Sequence, residues 1–302
     1  MPISFYFASL FILGLAFGSF FNVLIFRYDP DRNIFSRPSV SGRSHCLKCR
    51  TTLRWFELVP LFSFIFQRGR CRTCNTKLSY QYPLVEFLGG SIFAGIPLFL
   101  NSFYGVLNHA FFSFEAPYWY YGLVAVWIFV FCVFLLITAI DFKLFIIPNE
   151  LTALLVFAGI ALSGFSVLIE KGMIMPFRTS FLEQYILVFP AFTSAIWNHA
   201  LGAAVGFLFF LALSIITRGR GIGFGDVKLA FALGLVFGWP DIAIITMLSF
   251  IIGGLWSVGL MLIGAKKMKD RVPFAPFFVL GALIVFFFGA AIVKGYFGVF
   301  GL

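Results

Sequence analysis

Charge is scarce in this chain. Asp, Glu, Lys and Arg make up 11% of its 302 residues, acids number only 12, and histidine occurs three times. Soluble domains carry about 25% charge, so a water-facing surface over the whole molecule is excluded. Long polar stretches are also lacking, with residues 28–82 forming the only one. In their place stand 61% hydrophobic residues, 45 phenylalanines and a mean hydropathy of +1.00. A helix needs roughly 20 apolar residues to cross a hydrocarbon core of about 30 Å, and the apolar runs here predict an all-α polytopic membrane protein of about eight spans. Their expected positions are 4–26, 84–107, 119–140, 150–169, 196–217, 226–238, 241–264 and 275–299. The sixth is too short to cross unless flanking residues help. The first run has no basic lead and continues into "GSFFNVLIFR" in place of a small-residue cleavage site, so it is expected to remain as a helix.

The few charges are unevenly placed. Ten of the 22 basic residues fall in 28–82, against three acids there, Asp29, Asp31 and Glu57. Lys266, Lys267, Lys269 and Arg271 precede the last span, and Arg218, Arg220 and Lys228 surround "GIGFGDVKLA". The only Lys or Arg residues in the stretches 108–118 and 170–195 are Lys171 and Arg178. Basic loops stay in the cytoplasm; the N-terminus is therefore expected outside, and Asp141 and Asp226 on the cytoplasmic face. No segment indicates nucleic-acid binding, because topology and contact with anionic lipid headgroups account for the basic loop.

Four of the five cysteines lie in 28–82 as two CxxC pairs, Cys46 with Cys49 and Cys71 with Cys74. Two such knuckles complete a tetrahedral four-thiolate zinc site, and a reducing cytoplasm disfavours the disulfide alternative. Four protein ligands close the coordination sphere, so zinc is expected to hold the loop's fold and do no chemistry. His45 adjoins the first knuckle and is read as a surface residue with a secondary possibility as ligand. "RWFELVPLFSFIF", from Arg54, is apolar enough to lie along the membrane interface, with Trp55 in the headgroup region. Cys132, inside an apolar run, is read as a small packing residue.

Ionisable groups along the apolar runs are functional candidates, since a charge at a helix centre costs about 2.5–3.5 kcal/mol on insertion scales. Glu86, Asp141, Glu150, Asp226 and Lys228 are such groups. Asp141 ends a long apolar helix, while Asp226 opens another behind Gly223 and Gly225, whose missing side chains leave room for a substrate strand. Two carboxylates at close range cannot both ionise easily and share a proton, so one can take a proton from water while the other donates to a peptide carbonyl. The plainer alternatives are a helix cap for Asp226 and an interfacial charge for Asp141. Lys228 is read as a positive anchor, with pairing to an aspartate or to substrate as the alternatives.

These segments resemble the bacterial type IV prepilin peptidases, membrane aspartic proteases with a GxGD motif, here Gly223-Phe224-Gly225-Asp226. The likeness runs through "GSFFNVLIFR", the CxxC pairs, "RGRCRTC", "YPLVEFLGG", "DFKLFIIPNELT", "GFGDVKLA" and "VPFAPFFVLGAL". It implies cleavage of the leader of prepilins or pseudopilins at the cytoplasmic face of the inner membrane, after a glycine. It also implies N-methylation of the new N-terminal residue with S-adenosylmethionine. Carried over, the catalytic pair is Asp141 and Asp226, the metal ligands are Cys46, Cys49, Cys71 and Cys74, and Gly69 and Glu86 stand near methyl transfer. Gly223, Gly225 and Lys228 support the site. The division expected is 1–27 as first helix, 28–82 as zinc module and 83–302 as peptidase domain. One departure is the long segment 170–198 between the aspartates. The other readings are a peptidase without methyl transfer, a non-catalytic assembly component, and a transporter. The last leaves the four-cysteine module unexplained and finds no internal repeat in the chain.

Overall fold

The computed structural model describes residues 3–104, 118–172, 180–183, 194–219, 221–265, 267 and 270–299. Apolar runs become helices because a backbone in lipid must satisfy its polar groups within its own segment. The long helices are α1 (Ile3–Arg27), α4 (Gln81–Tyr104), α5 (Tyr118–Leu144), α6 (Asn149–Gly172), α7 (Ala195–Ile216), α9 (Asp241–Leu262) and α10 (Ala275–Val299). Short ones are α2 (Arg37–Val40), a 3-10 turn (Trp55–Leu58), α3 (Phe62–Phe66) and α8 (Phe224–Phe237). Strands are absent among the described residues. Most of the expected outer stretches 108–118 and 170–195 lies outside them.

Seven of these helices are long and apolar enough to cross a membrane. The remaining expected span, the sixth, is α8, which has 14 residues and runs about 21 Å, short of the hydrocarbon core. It need not match the lipid, because it packs against α6 and α7 and buries Val227, Leu229, Ala230, Leu233 and Phe237 in protein.

The chain divides into two compact units, one of Met1–Pro117 with Trp127–Leu136, the other of Tyr118–Val126 with Ile137–Leu302. In the first, α1 lies against α4 through glycines. A Cβ on Gly14 would collide with the Gly89 carbonyl, and one on Gly18 would stand 2.6 Å from the Glu86 Cα; this is close small-residue packing. The segment between these helices carries the cysteine module. Its Trp55, Phe62, Ile65 and Phe66 are exposed, the placement expected of an interface-lying stretch.

In the second unit, α8 meets α7 at Gly202 and Gly234, where a Cβ on Gly202 would fall 2.6 Å from the Gly234 carbonyl oxygen. An aromatic cluster of Phe210, Phe250, Phe274 and Phe278, with Phe210 and Phe278 stacked at 5.0 Å, joins α7, α9 and the start of α10. One end of this unit gathers the α5–α6 turn and the start of α8, as Ile147 lies 3.4 Å from where a Gly225 Cβ would be. The opposite end gathers Ser180 and Phe181 with Asp241.

Candidate active site and metal centre

Asp141 sits in the last turn of α5, where a carboxylate opposes its own helix dipole by about 0.3–1 kcal/mol. Its compensation comes from elsewhere: Asp141 Oδ2 accepts the backbone N–H of Ala275 at 3.2 Å, the first residue of α10. The aromatic cluster around Phe274 holds that helix start in place. Asp141 is only 4% exposed. Helix α5 ends cleanly because Phe145, at φ 56°, donates to the Asp141 carbonyl.

Asp226 is the third residue of α8. Gly223 holds the N-cap position, so the simple cap reading has the wrong residue; Asp226 Oδ2 instead reaches back to accept the Gly223 N–H at 3.0 Å. The α5–α6 turn packs on the start of α8, with Ile147 3.4 Å from where a Gly225 Cβ would stand, so the end of α5 that carries Asp141 and the start of α8 that carries Asp226 lie at the same end of this unit. Each is held through Oδ2, and each Oδ1 has no partner among the described residues. The geometry thus supplies two fixed, partly desolvated carboxylates, each with one oxygen open to a third party.

The glycines need no special backbone angles. Gly223, at φ −77° and ψ 161°, uses a conformation any residue adopts, and Gly225 lies inside the helix. Both lie against the site: a Gly223 Cβ would stand 3.6 Å from Asp226 Oδ2 and one on Gly225 3.4 Å from Ile147, ordinary contact distances. Lys228 pairs with neither aspartate. Its Nζ donates to Asn149 Oδ1 at 2.7 Å and lies 5.1 Å from the Phe224 ring centroid, which ties α8 to the start of α6. Beside it a cavity of about 440 Å³ is lined by Thr152, Val156, Phe207 and Phe231.

The cysteine module is built from two like turns. Cys46 donates to Thr51 and accepts from Arg50, and Cys71 does the same with Thr76 and Asn75. Arg50 and Asn75, four residues after the first cysteine of each pair, both take φ 57°. The result puts all four sulfurs within 4.8 Å of one another, with Cys46 to Cys74 at 3.8 Å and Cys49 to Cys71 at 4.0 Å. A tetrahedral zinc with Zn–S of about 2.3 Å requires S···S edges of about 3.8 Å, so the set fits such an ion. Hydrogen bonds from the Thr51 side chain and backbone lower the Cys49 thiol to about 6, favouring the thiolate a metal needs. His45 stands outside the ligand set and is exposed.

Gly69 takes φ 64° between α3 and the second knuckle, donating to Phe64 and accepting from Leu78; a Cβ there would meet the Phe64 ring at 3.1 Å. Its place is a backbone requirement. Glu86 is 6% exposed and accepts the Leu61 N–H at 2.8 Å, which fastens the module to α4. Sequence reasoning passes over three polar groups of this molecule. Asp241, fully buried, accepts from the Ser180 hydroxyl at 2.5 Å and the Phe181 N–H at 3.1 Å. His199 donates through Nδ1 to the Leu235 carbonyl at 2.8 Å, which leaves Nε2 to accept from the Ser166 hydroxyl at 3.1 Å. Asn22 is buried on α1. The acid in "WPD" ahead of an apolar run was a readable signal for Asp241; Asn22 and His199 offered none beyond polarity.

Two family models match parts of the chain. Residues 12–100 match the Bacterial Peptidase A24 N-terminal domain, and residues 128–258 match the Type IV leader peptidase family. A Bacillus subtilis protein is 30% identical over 288 residues, covering 95% of this chain and 96% of its own length. One from Burkholderia pseudomallei is 30% identical, covering 92% and 84%, and one from Aeromonas hydrophila is 26% identical, covering 96% and 93%. All three are named prepilin leader peptidase/N-methyltransferase. No solved structure matches the chain.

Proposed function

The chain belongs to the Type IV leader peptidase family, and from that membership we propose a bifunctional multi-pass membrane enzyme that removes the leader of prepilins or pseudopilins and N-methylates the residue so exposed. Cleavage falls to Asp141 and Asp226 in the 83–302 peptidase domain. One carboxylate takes a proton from a water held between them while the other, protonated, donates to the scissile carbonyl oxygen. The water oxygen bonds to the carbonyl carbon; as the tetrahedral intermediate collapses, the C–N bond breaks and the leaving amine takes the proton that came from water. The observation that carries this reading is that each acid is anchored by Oδ2 to a helix start, with its other oxygen uncommitted. Gly223 and Gly225 leave room at that mouth, and Lys228 holds α8 to α6.

The site faces the cytoplasm of the inner membrane in this proposal. Its support is the charge on the same ends of the helices: Lys143 closes α5, Arg218 follows α7, and Lys267 and Arg271 precede α10. Methyl transfer belongs to the first unit, where Cys46, Cys49, Cys71 and Cys74 would hold structural zinc, with Gly69 and Glu86 nearby. S-adenosylmethionine, when bound, supplies an electrophilic methyl group to the neutral α-amine. Intact-mass analysis of a prepilin incubated with the protein in detergent, with and without S-adenosylmethionine, tests both activities. Loss of the leader, plus one methyl mass only when the donor is present, is expected; Asp226→Ala should leave the prepilin whole. Cleavage that persists in that variant would sink the assignment.

A further inference from the structure

We infer that a cavity within the first unit, between α1, the start of α4 and the cysteine module, seats the methyl donor, with Glu86 and Asn22 as an acceptor floor for its cationic sulfonium; this rests on the methyltransferase reading above. The cavity has a volume of about 370 Å³. Asn22 is 2% exposed; its Nδ2 donates to the Tyr82 carbonyl at 3.0 Å, while its Oδ1 is buried with no partner. The Glu86 carboxylate, which takes the Leu61 N–H at 2.8 Å, lines the same cavity, as does Ser19. A buried acceptor left unpaired in one cavity with a buried carboxylate is costly unless something positive arrives. Glu57, the other acid lining the cavity, is engaged with the Arg54 N–H at 2.7 Å.

The rest of the lining indicates what accompanies the positive centre. Phe26 and Tyr82 stack at 4.6 Å, and with Phe64 they line the cavity; aromatic surfaces suit both a cation and a purine ring. Exposed Lys48 and Lys77 also line it and suit a carboxylate, while Arg27, a further cation of the lining, is spent on the Ser41, Gly42 and Arg43 carbonyls. Acceptors in the buried part, aromatic surface, and ammonium groups on the exposed side match a molecule with a sulfonium, a purine and an amino-acid carboxylate.

Two analogues of the donor separate this idea from its premise. Sinefungin carries a cationic amine where the methyl sulfonium stands; S-adenosylhomocysteine is a neutral thioether there. Calorimetric titration of the zinc-loaded full chain should show sinefungin binding at least about tenfold tighter. Glu86→Gln keeps an oxygen for the Leu61 N–H and removes the charge, so the preference should shrink to about twofold, with S-adenosylhomocysteine affinity, melting temperature and zinc content unchanged. Asn22→Leu should lower the preference in the same direction. Equal affinity in the unaltered protein, or an unchanged preference in folded Glu86→Gln, overturns the acceptor floor alone. Failure of folded, zinc-loaded protein to bind either analogue overturns the methyltransferase reading and the inference with it.

Discussion

Asp226 has two oxygens and two separable duties. Oδ2 caps the Gly223 N–H, a structural task that an amide oxygen can also perform; proton transfer requires a carboxylate. Asp226→Asn should therefore leave the melting temperature in detergent nearly unchanged while lowering cleavage by at least about 100-fold, the scale of acid–base catalysis. Asp226→Ala should lose both, with the missing cap worth about 1 kcal/mol. If Asp226→Asn cleaves at the original rate, the acid is a cap and nothing more. The same substitution at Asp141 keeps its acceptor for the Ala275 N–H and should behave alike. At the metal centre, Cys46→Ser or Cys71→Ser removes one of four thiolates and should lower the zinc-to-protein ratio measured by elemental analysis. An unchanged ratio would exclude the four-sulfur site.

Helices were readable because a membrane span announces itself by length and apolarity: the run expected at 4–26 is Ile3–Arg27, and that at 275–299 is Ala275–Val299. Which surfaces those helices share was not readable. The Gly202 to Gly234 crossing and the Asp241 bonds to Ser180 and Phe181 join residues far apart in sequence, and no local period encodes such pairs. The aspartates themselves stood out as charges in apolar surroundings, whereas the anchor of Asp141 at Ala275 depends on an aromatic cluster drawn from three helices. The glycine crossing carries a test of its own. A side chain at Gly202 meets the backbone of α8, which has no rotamer to yield, so Gly202→Val should destabilise the protein by about 1–3 kcal/mol and move Asp226 with its helix, reducing cleavage. Gly254, with nothing within 4 Å, is the control: Gly254→Ala should alter neither. Asp241→Leu, which leaves the Ser180 hydroxyl and Phe181 N–H without their acceptor, should cost a similar amount, as thermal unfolding would show.

At the scale of the whole molecule, the sites proposed for the two chemistries fall in different compact units. The four cysteines, Glu86 and Asn22 belong to the first, and Asp141 and Asp226 to the second. Both carboxylates draw their anchors from their own unit, Ala275 and Gly223, so the proposed catalytic pair should not depend on zinc for its geometry. The cysteine module should, because its helices are short: α2 has four residues and α3 five, far below the length at which a helix sustains itself. A strong chelator should accordingly unfold the module, seen as new protease-sensitive sites within 28–82, and abolish methylation first. Leader cleavage by the same chelated sample should persist at a substantial fraction of its original rate, and zinc should restore the methyl mass. Parallel loss of both activities would show instead that the module also presents the leader to the aspartates, and the two units would then have to be treated as one catalytic machine.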